Sequence, residues 1–306
     1  MMSGVPRLQF EQKRAEKQQP ERRGIKKGLY LIPSLFTTAN ILMGFFAITW
    51  SLRGFQMLAL ATPEAMVRAA QFFDGAAMFI GWAFVFDTLD GRIARMTKTT
   101  TEIGVQFDSI ADVVTFGIAP AMLVYTWGYG SAFREGTDLH NFGWVLSFMF
   151  LMCGAFRLAR FNVQATRPRV LAEGTPKVDK KSFVGLPIPA AAALIAAIVH
   201  FAPKPVVQYG AERAQLYGAL LMGLVATLGA LMVSTLRYSS FKSAGTTRRS
   251  TRMMILLIGA VATLIWFYSR YVLLAIVTAY VLHGILFRIG SFFRRRPEKT
   301  AAVQEG

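Results

Sequence analysis

Apolar runs of roughly 20 residues, separated by short basic links, decide what this chain can fold into. A helix rises about 1.5 Å per residue, so a run of roughly 20 crosses the ~30 Å hydrocarbon layer of a bilayer. Within lipid the backbone must pair its own polar groups, which makes each run a helix. Eight spans are expected, at about 31–52, 70–91, 106–128, 141–163, 186–203, 214–236, 253–269 and 271–289. Only Ser269 and Arg270 separate the last two. With 54% hydrophobic residues in a 306-residue chain, the expected class is all-α: a polytopic transmembrane bundle without a separate soluble domain or an internal repeat.

The net charge of +17 would suggest a nucleic-acid partner in a soluble protein. Here the charge falls between apolar runs, so the positive-inside rule accounts for it and no nucleic acid is expected. Of the 34 lysines and arginines, 28 lie in the N-terminal segment, in the links after spans two, four and six, or at the C-terminal end. That asymmetry predicts a multi-pass protein of the cell (inner) membrane with both termini in the cytoplasm. Residues 1–29 are polar and basic, without the small-residue cleavage site of a signal peptide, and read as a cytoplasmic tail. Residues 30–290 read as the transmembrane domain, and 291–306 as a second basic tail. The one cysteine, Cys153, lies mid-run and reads as a small apolar residue. Pro187 and Pro189 are expected to start or kink span five. His140, His200 and His283 stand isolated in the sequence and are assigned no chemistry.

Four aspartates lie in or beside these runs. Asp87 and Asp90 are three apart and Asp108 and Asp112 four apart, so each pair shares one helix face. The basic, threonine-rich link between them is short enough for two antiparallel helices to bring the carboxylates together. Crowded carboxylates at a membrane boundary either take up protons or gather around cations. Hard oxygen ligands favour magnesium, calcium or manganese.

The full spacing is Asp-x2-Asp-Gly-x2-Ala-Arg-x8-Gly-x3-Asp-x3-Asp, through Asp87, Asp90, Gly91, Ala94, Arg95, Gly104, Asp108 and Asp112. It resembles the signature of the CDP-alcohol phosphotransferase family at every fixed position. The resemblance implies a six-helix core, here with two further C-terminal helices, and a homodimer. It implies two divalent cations, Mg2+ or Mn2+, on Asp87, Asp90 and Asp108, with Asp112 as general base and a further metal ligand. On span one, Ser34, Thr37 and Asn40 recur every three residues as a polar stripe, a contact for the nucleotide and its phosphates. Gly91 would let the nucleotide approach the backbone. Arg95 offers a forked, permanent charge to a phosphate, and Thr101 a hydroxyl.

The segments IPSLFTTAN, FDSIADVVTFGIAPAMLVYTWG, GAFRLARFNVQ and KSFVGLPIPAAA are similar to the membrane-type phosphatidylserine synthase branch of that family. The likeness runs from about residue 30 to 200. It implies that CDP-diacylglycerol and L-serine react at the cytoplasmic membrane face. The serine hydroxyl would attack the phosphorus that bears diacylglycerol, and CMP would leave. Arg157, Arg160 and Asn162, at the end of span four, are the candidates to hold serine. Other acceptors remain open, such as glycerol 3-phosphate or an inositol compound. An ion-coupled transporter with intramembrane carboxylates, or a prenyltransferase with aspartate-rich motifs, would be a different class of answer. Gly91 and Arg95 within the fixed spacing speak against both.

Overall fold

A computed structural model describes residues 23–97, 102–166, 182–234, 237–239 and 248–293. Six helices among the described residues are long and apolar enough to cross a membrane, and the chain is a multi-pass membrane protein.

Helix α1 (Arg23–Leu58) and helix α2 (Pro63–Thr97) form an antiparallel hairpin. The turn is built from its sequence. Ala61 adopts φ 50°, and the Thr62 hydroxyl accepts from Ala65 N at 3.2 Å, capping α2. Pro63 then occupies the first helical position and Glu64 the positive end of the helix dipole. The hairpin is packed by rings against small residues. The Trp50 ring fills the space that a Cβ on Gly75 would need, and it meets Phe79 edge-on, centroids 5.0 Å apart.

Helix α3 is one span made of five pieces. Glu102–Asp112 passes into a π-helical turn over Val113–Ile118, then Ala119–Val124, a second π-turn over Tyr125–Tyr129, and Gly130–Ala132. The first π-turn begins directly after Asp112. It presents Thr115, fully buried, to the Asn40 carbonyl of α1 at 3.2 Å. A Cβ on Gly44 would lie 2.5 Å from Thr115 Oγ1 and 3.0 Å from its Cα. Glycine at 44 therefore sets how closely α1 and α3 approach. Helix α4 (Asp138–Thr166) returns alongside.

Strand β1 (Ser182–Val184) pairs antiparallel with β2 (Arg237–Ser239), Phe183 opposite Tyr238. These two short strands are an addition to the expected all-helical fold. Between them run helix α5 (Ile188–Phe201), a 3-10 turn over Val206–Tyr209 and helix α6 (Ala211–Val233). Pro187 and Pro189 start α5, as the sequence suggests, Pro187 as the N-cap residue. At 14 residues α5 is about 21 Å long, shorter than a bilayer core. It is buried on most sides, with Ile188, Ala191, Ala192, Ile195 and Val199 closed off from solvent. A helix apolar all round belongs in a protein core, and α5 is the strut against which α2, α3 and α7 pack.

The two C-terminal spans expected from the sequence are the two helical stretches of α7 (Arg248–Phe293), which meet at a kink at Tyr268, whose φ −132° and ψ 40° are non-helical. Two apolar runs separated by two polar residues leave no room for a loop, so the chain kinks between the two helical stretches. Hydrogen bonds fix the ends of the bundle. Thr37–Asp90 and Asn162–Ser109 join helices at the aspartate end. Tyr125–His140 and Trp127–Lys204 join them at the other.

Candidate functional site

Asp87 lies four residues before Gly91 on α2, and Asp108 and Asp112 lie one turn apart on α3. One carboxylate oxygen from each of the three falls within 4.8 Å of the others. Asp90, 6% exposed, lies deeper against α1. Its Oδ2 accepts from the Thr37 hydroxyl at 2.5 Å, while its Oδ1 is buried with no hydrogen-bond partner. Asp112 Oδ1 is buried in the same condition. Carboxylate oxygens left so cost free energy unless a cation or proton meets them.

Thr37 does not bond back to its own helix alone; it reaches Asp90. Asn40, one turn on, is 1% exposed, and neither its amide nitrogen nor its oxygen has a partner. A buried amide left unsatisfied costs about 1–3 kcal/mol for each group, a cost that a polar ligand would remove. Gly91 is half-buried at the end of the carboxylate pair. Thr101 lies outside the described residues, as do the side chains of Ser34 and Arg95.

The three residues expected to hold an amino-acid acceptor separate. Arg157 on α4 is buried, 9% exposed, within electrostatic reach of Asp112, and its Nε has no acceptor. Arg160 instead donates to Val233 O at the end of α6, 3.3 Å away. Asn162 donates to Ser109 Oγ at 2.7 Å, one residue from Asp108. Arg160 and Asn162 thus tie helix ends together, and Arg157 has Asp112 within electrostatic reach.

Comparison with known proteins now decides the family. The description "CDP-alcohol phosphatidyltransferase" matches residues 30–234. The chain belongs to the CDP-alcohol phosphatidyltransferase family. A CDP-diacylglycerol–serine O-phosphatidyltransferase of Helicobacter pylori strain J99 is 35% identical over 215 residues, 70% of this chain and 74% of that protein. The protein of the same name from Methanocaldococcus jannaschii is 33% identical over 161 residues, 52% of this chain and 61% of its own. That of Saccharomyces cerevisiae is 34% identical over 168 residues, 55% and 53%.

CDP-alcohol phosphatidyltransferases are generally dependent on divalent metals, and this chain has the buried acidic cluster for one. The donor set fits a hard cation: carboxylate oxygens, two of them buried and unpaired. Family membership also sets aside the transporter and prenyltransferase readings. Sequence reasoning missed three features of the site. Gly44 is four residues after Asn40, on its face, and Thr115 is a polar residue inside an apolar run; both were visible. Tyr280, within electrostatic reach of Arg157, comes from α7 and carries no local signal.

Proposed function

We propose that this protein transfers the phosphatidyl group of CDP-diacylglycerol to the hydroxyl of L-serine, forming phosphatidylserine and releasing CMP. The observation that carries this reading is the convergence of Asp87, Asp108 and Asp112 beside the buried Arg157, in a chain of this family. Relatives named for serine as acceptor support the choice of alcohol.

Asp87, Asp90, Asp108 and Asp112 would hold divalent cations, two Mg2+ or Mn2+. When bound, these neutralise the pyrophosphate and the charge developing on the leaving CMP. Thr37 fixes Asp90, and Asn40 supplies a donor and an acceptor to the nucleotide, with Ser34, Gly91, Arg95 and Thr101 as further contacts. Arg157 holds the serine carboxylate by charge-assisted hydrogen bonds, with Arg160 and Asn162 shaping that end of the pocket. Asp112 takes the proton of the serine hydroxyl. The new bond joins the serine oxygen to the phosphorus bearing diacylglycerol. The bond from that phosphorus to the CMP oxygen breaks, and CMP departs with the electron pair. Such chemistry rests mainly on positioning and charge.

The setting belongs to the same proposal. Residues 30–290 form the transmembrane domain in a cell (inner) membrane, flanked by cytoplasmic basic tails, and two copies form a homodimer. The test is CMP release from CDP-diacylglycerol by purified protein with Mn2+ or Mg2+, offered serine, glycerol 3-phosphate and inositol in turn. Serine is expected to support release with phosphatidylserine as the lipid product. Release with glycerol 3-phosphate or inositol and none with serine would overturn the acceptor.

A further inference from the structure

Asp74, His200, Ser269 and Arg270 lie far apart in the sequence, and three helices bring them together. Asp74 belongs to α2, His200 to the last turn of α5, and Ser269 and Arg270 to α7, directly after the kink at Tyr268. His200 Nδ1 pairs with Asp74 Oδ1 at 2.6 Å, and His200 Nε2 with Ser269 Oγ at 2.9 Å. Arg270 Nη2 stands 3.6 Å from Asp74 Oδ2. Ionisable side chains in apolar spans are expensive and are retained where they work. This cluster is separate from the four aspartates. Asp74 precedes Asp87 by 13 residues on α2, about 20 Å of helix. His200 comes four residues before Lys204, whose carbonyl accepts from Trp127 at the end of the bundle away from the aspartates. The family match ends at residue 234 and does not cover Ser269 or Arg270.

The hydrogen bonds set the direction of a relay. A carboxylate only accepts, so His200 Nδ1 carries a proton for Asp74. In the neutral ring Nε2 is then the acceptor, and it takes the bond from the Ser269 hydroxyl. The order is that of a serine nucleophile, its general base and the carboxylate that orients the base. Ser269 is half-buried. Next to it the Arg270 guanidinium is exposed, a fixed positive charge available to a developing oxyanion. Trp266, Phe267, Tyr268 and Tyr271 beside the pair are exposed aromatics, the kind of residue that sits at a membrane surface.

We propose that Ser269, His200 and Asp74 form a second catalytic centre, a serine hydrolase site that acts on a carboxylic ester held at the membrane surface. His200 Nε2 takes the Ser269 proton as Oγ bonds to the ester carbonyl carbon, and the carbonyl electron pair moves to oxygen beside Arg270. When that pair returns, the bond from carbon to the alcohol oxygen breaks, and His200 gives its proton to the leaving alcohol. A water that His200 deprotonates then attacks the acyl-serine, which releases a carboxylic acid and restores the Ser269 hydroxyl. Asp74 is a positioning residue that holds the imidazole throughout.

The full-length protein in nanodiscs, treated with an alkyl fluorophosphonate and separately offered p-nitrophenyl butyrate, tests this. Peptide mass analysis of the wild type is expected to find the phosphonyl group on Ser269, and the ester should be hydrolysed. Ser269→Ala and His200→Gln should lose both reactions and keep CMP release, so that the loss reports chemistry and not unfolding. Asp74→Asn should slow ester hydrolysis by on the order of 10⁴-fold, the loss seen when the imidazole is no longer held in its working tautomer. Asp74→Glu, which keeps the carboxylate, should recover part of it. Asp112→Asn should label as the wild type does, because the two centres share no residue. A wild type without an adduct on Ser269 overturns the proposal and makes the cluster a support for the fold alone. Ester hydrolysis undiminished in Ser269→Ala, or labelling at full rate in His200→Gln, overturns it equally.

Discussion

At the residue scale, the proposed mechanism divides the four aspartates by task. Asp87→Asn, Asp90→Asn and Asp108→Asn should each weaken Mn2+ binding, because a neutral amide oxygen is a poorer ligand for a hard cation. Asp112→Asn should keep more of its metal and CDP-diacylglycerol binding yet lose turnover by about 10²–10⁴-fold, the usual cost of removing a general base. Side-by-side metal titration and CMP release check this; normal turnover by Asp112→Asn would remove its role as base. Thr37→Val deletes the donor to Asp90 Oδ2. A hydrogen bond to a charged group is worth about 1.5–3 kcal/mol, so metal-dependent CDP-diacylglycerol binding should weaken about tenfold or more, and Thr37→Ser should recover it. The aspartates were legible because helical spacing writes them into the sequence. The division of Arg157, Arg160 and Asn162 was not. All three lie within six residues on one helix end, and Val233 and Ser109, far off in sequence, decide which of them are bonded into the fold.

At the element scale, the site depends on how closely α1 meets the π-turn of α3. Gly44→Ala would drive a methyl against Thr115, whose Cα would lie 3.0 Å away and cannot swing aside. Overpacking of this kind costs about 1–3 kcal/mol, and it would shift Thr37 and Asn40 relative to the carboxylates. Thermal unfolding in detergent should show a lowered Tm together with weaker CDP-diacylglycerol binding. Gly223→Ala on α6 has nothing within 4 Å of the added methyl and should change neither. Apolar runs announced the helices, since length and hydropathy are local properties. The π-turns and the shortness of α5 were not announced. Each depends on what packs alongside: Asn40 against Thr115, and α2 and α7 against α5.

At the scale of the whole molecule, charge and topology make one statement. With 28 of 34 basic residues assigned to one side, single cysteines at Lys98 and Arg134 should label from opposite faces of the membrane, in a background with Cys153 replaced. Labelling of both from one face would reject the topology. Mass measurement in nanodiscs should find a dimer, and a monomer at every concentration would reject that assembly. The claim on which the rest depends is phosphatidyl transfer to serine at the four-aspartate cluster. Its most direct test uses CDP-diacylglycerol labelled at the phosphorus that bears diacylglycerol. With wild-type protein, serine and a divalent cation, the label should pass wholly into phosphatidylserine and leave CMP unlabelled, and Asp108→Asn should stop the transfer. Label appearing in the released nucleotide, or transfer undiminished in Asp108→Asn, would contradict the account.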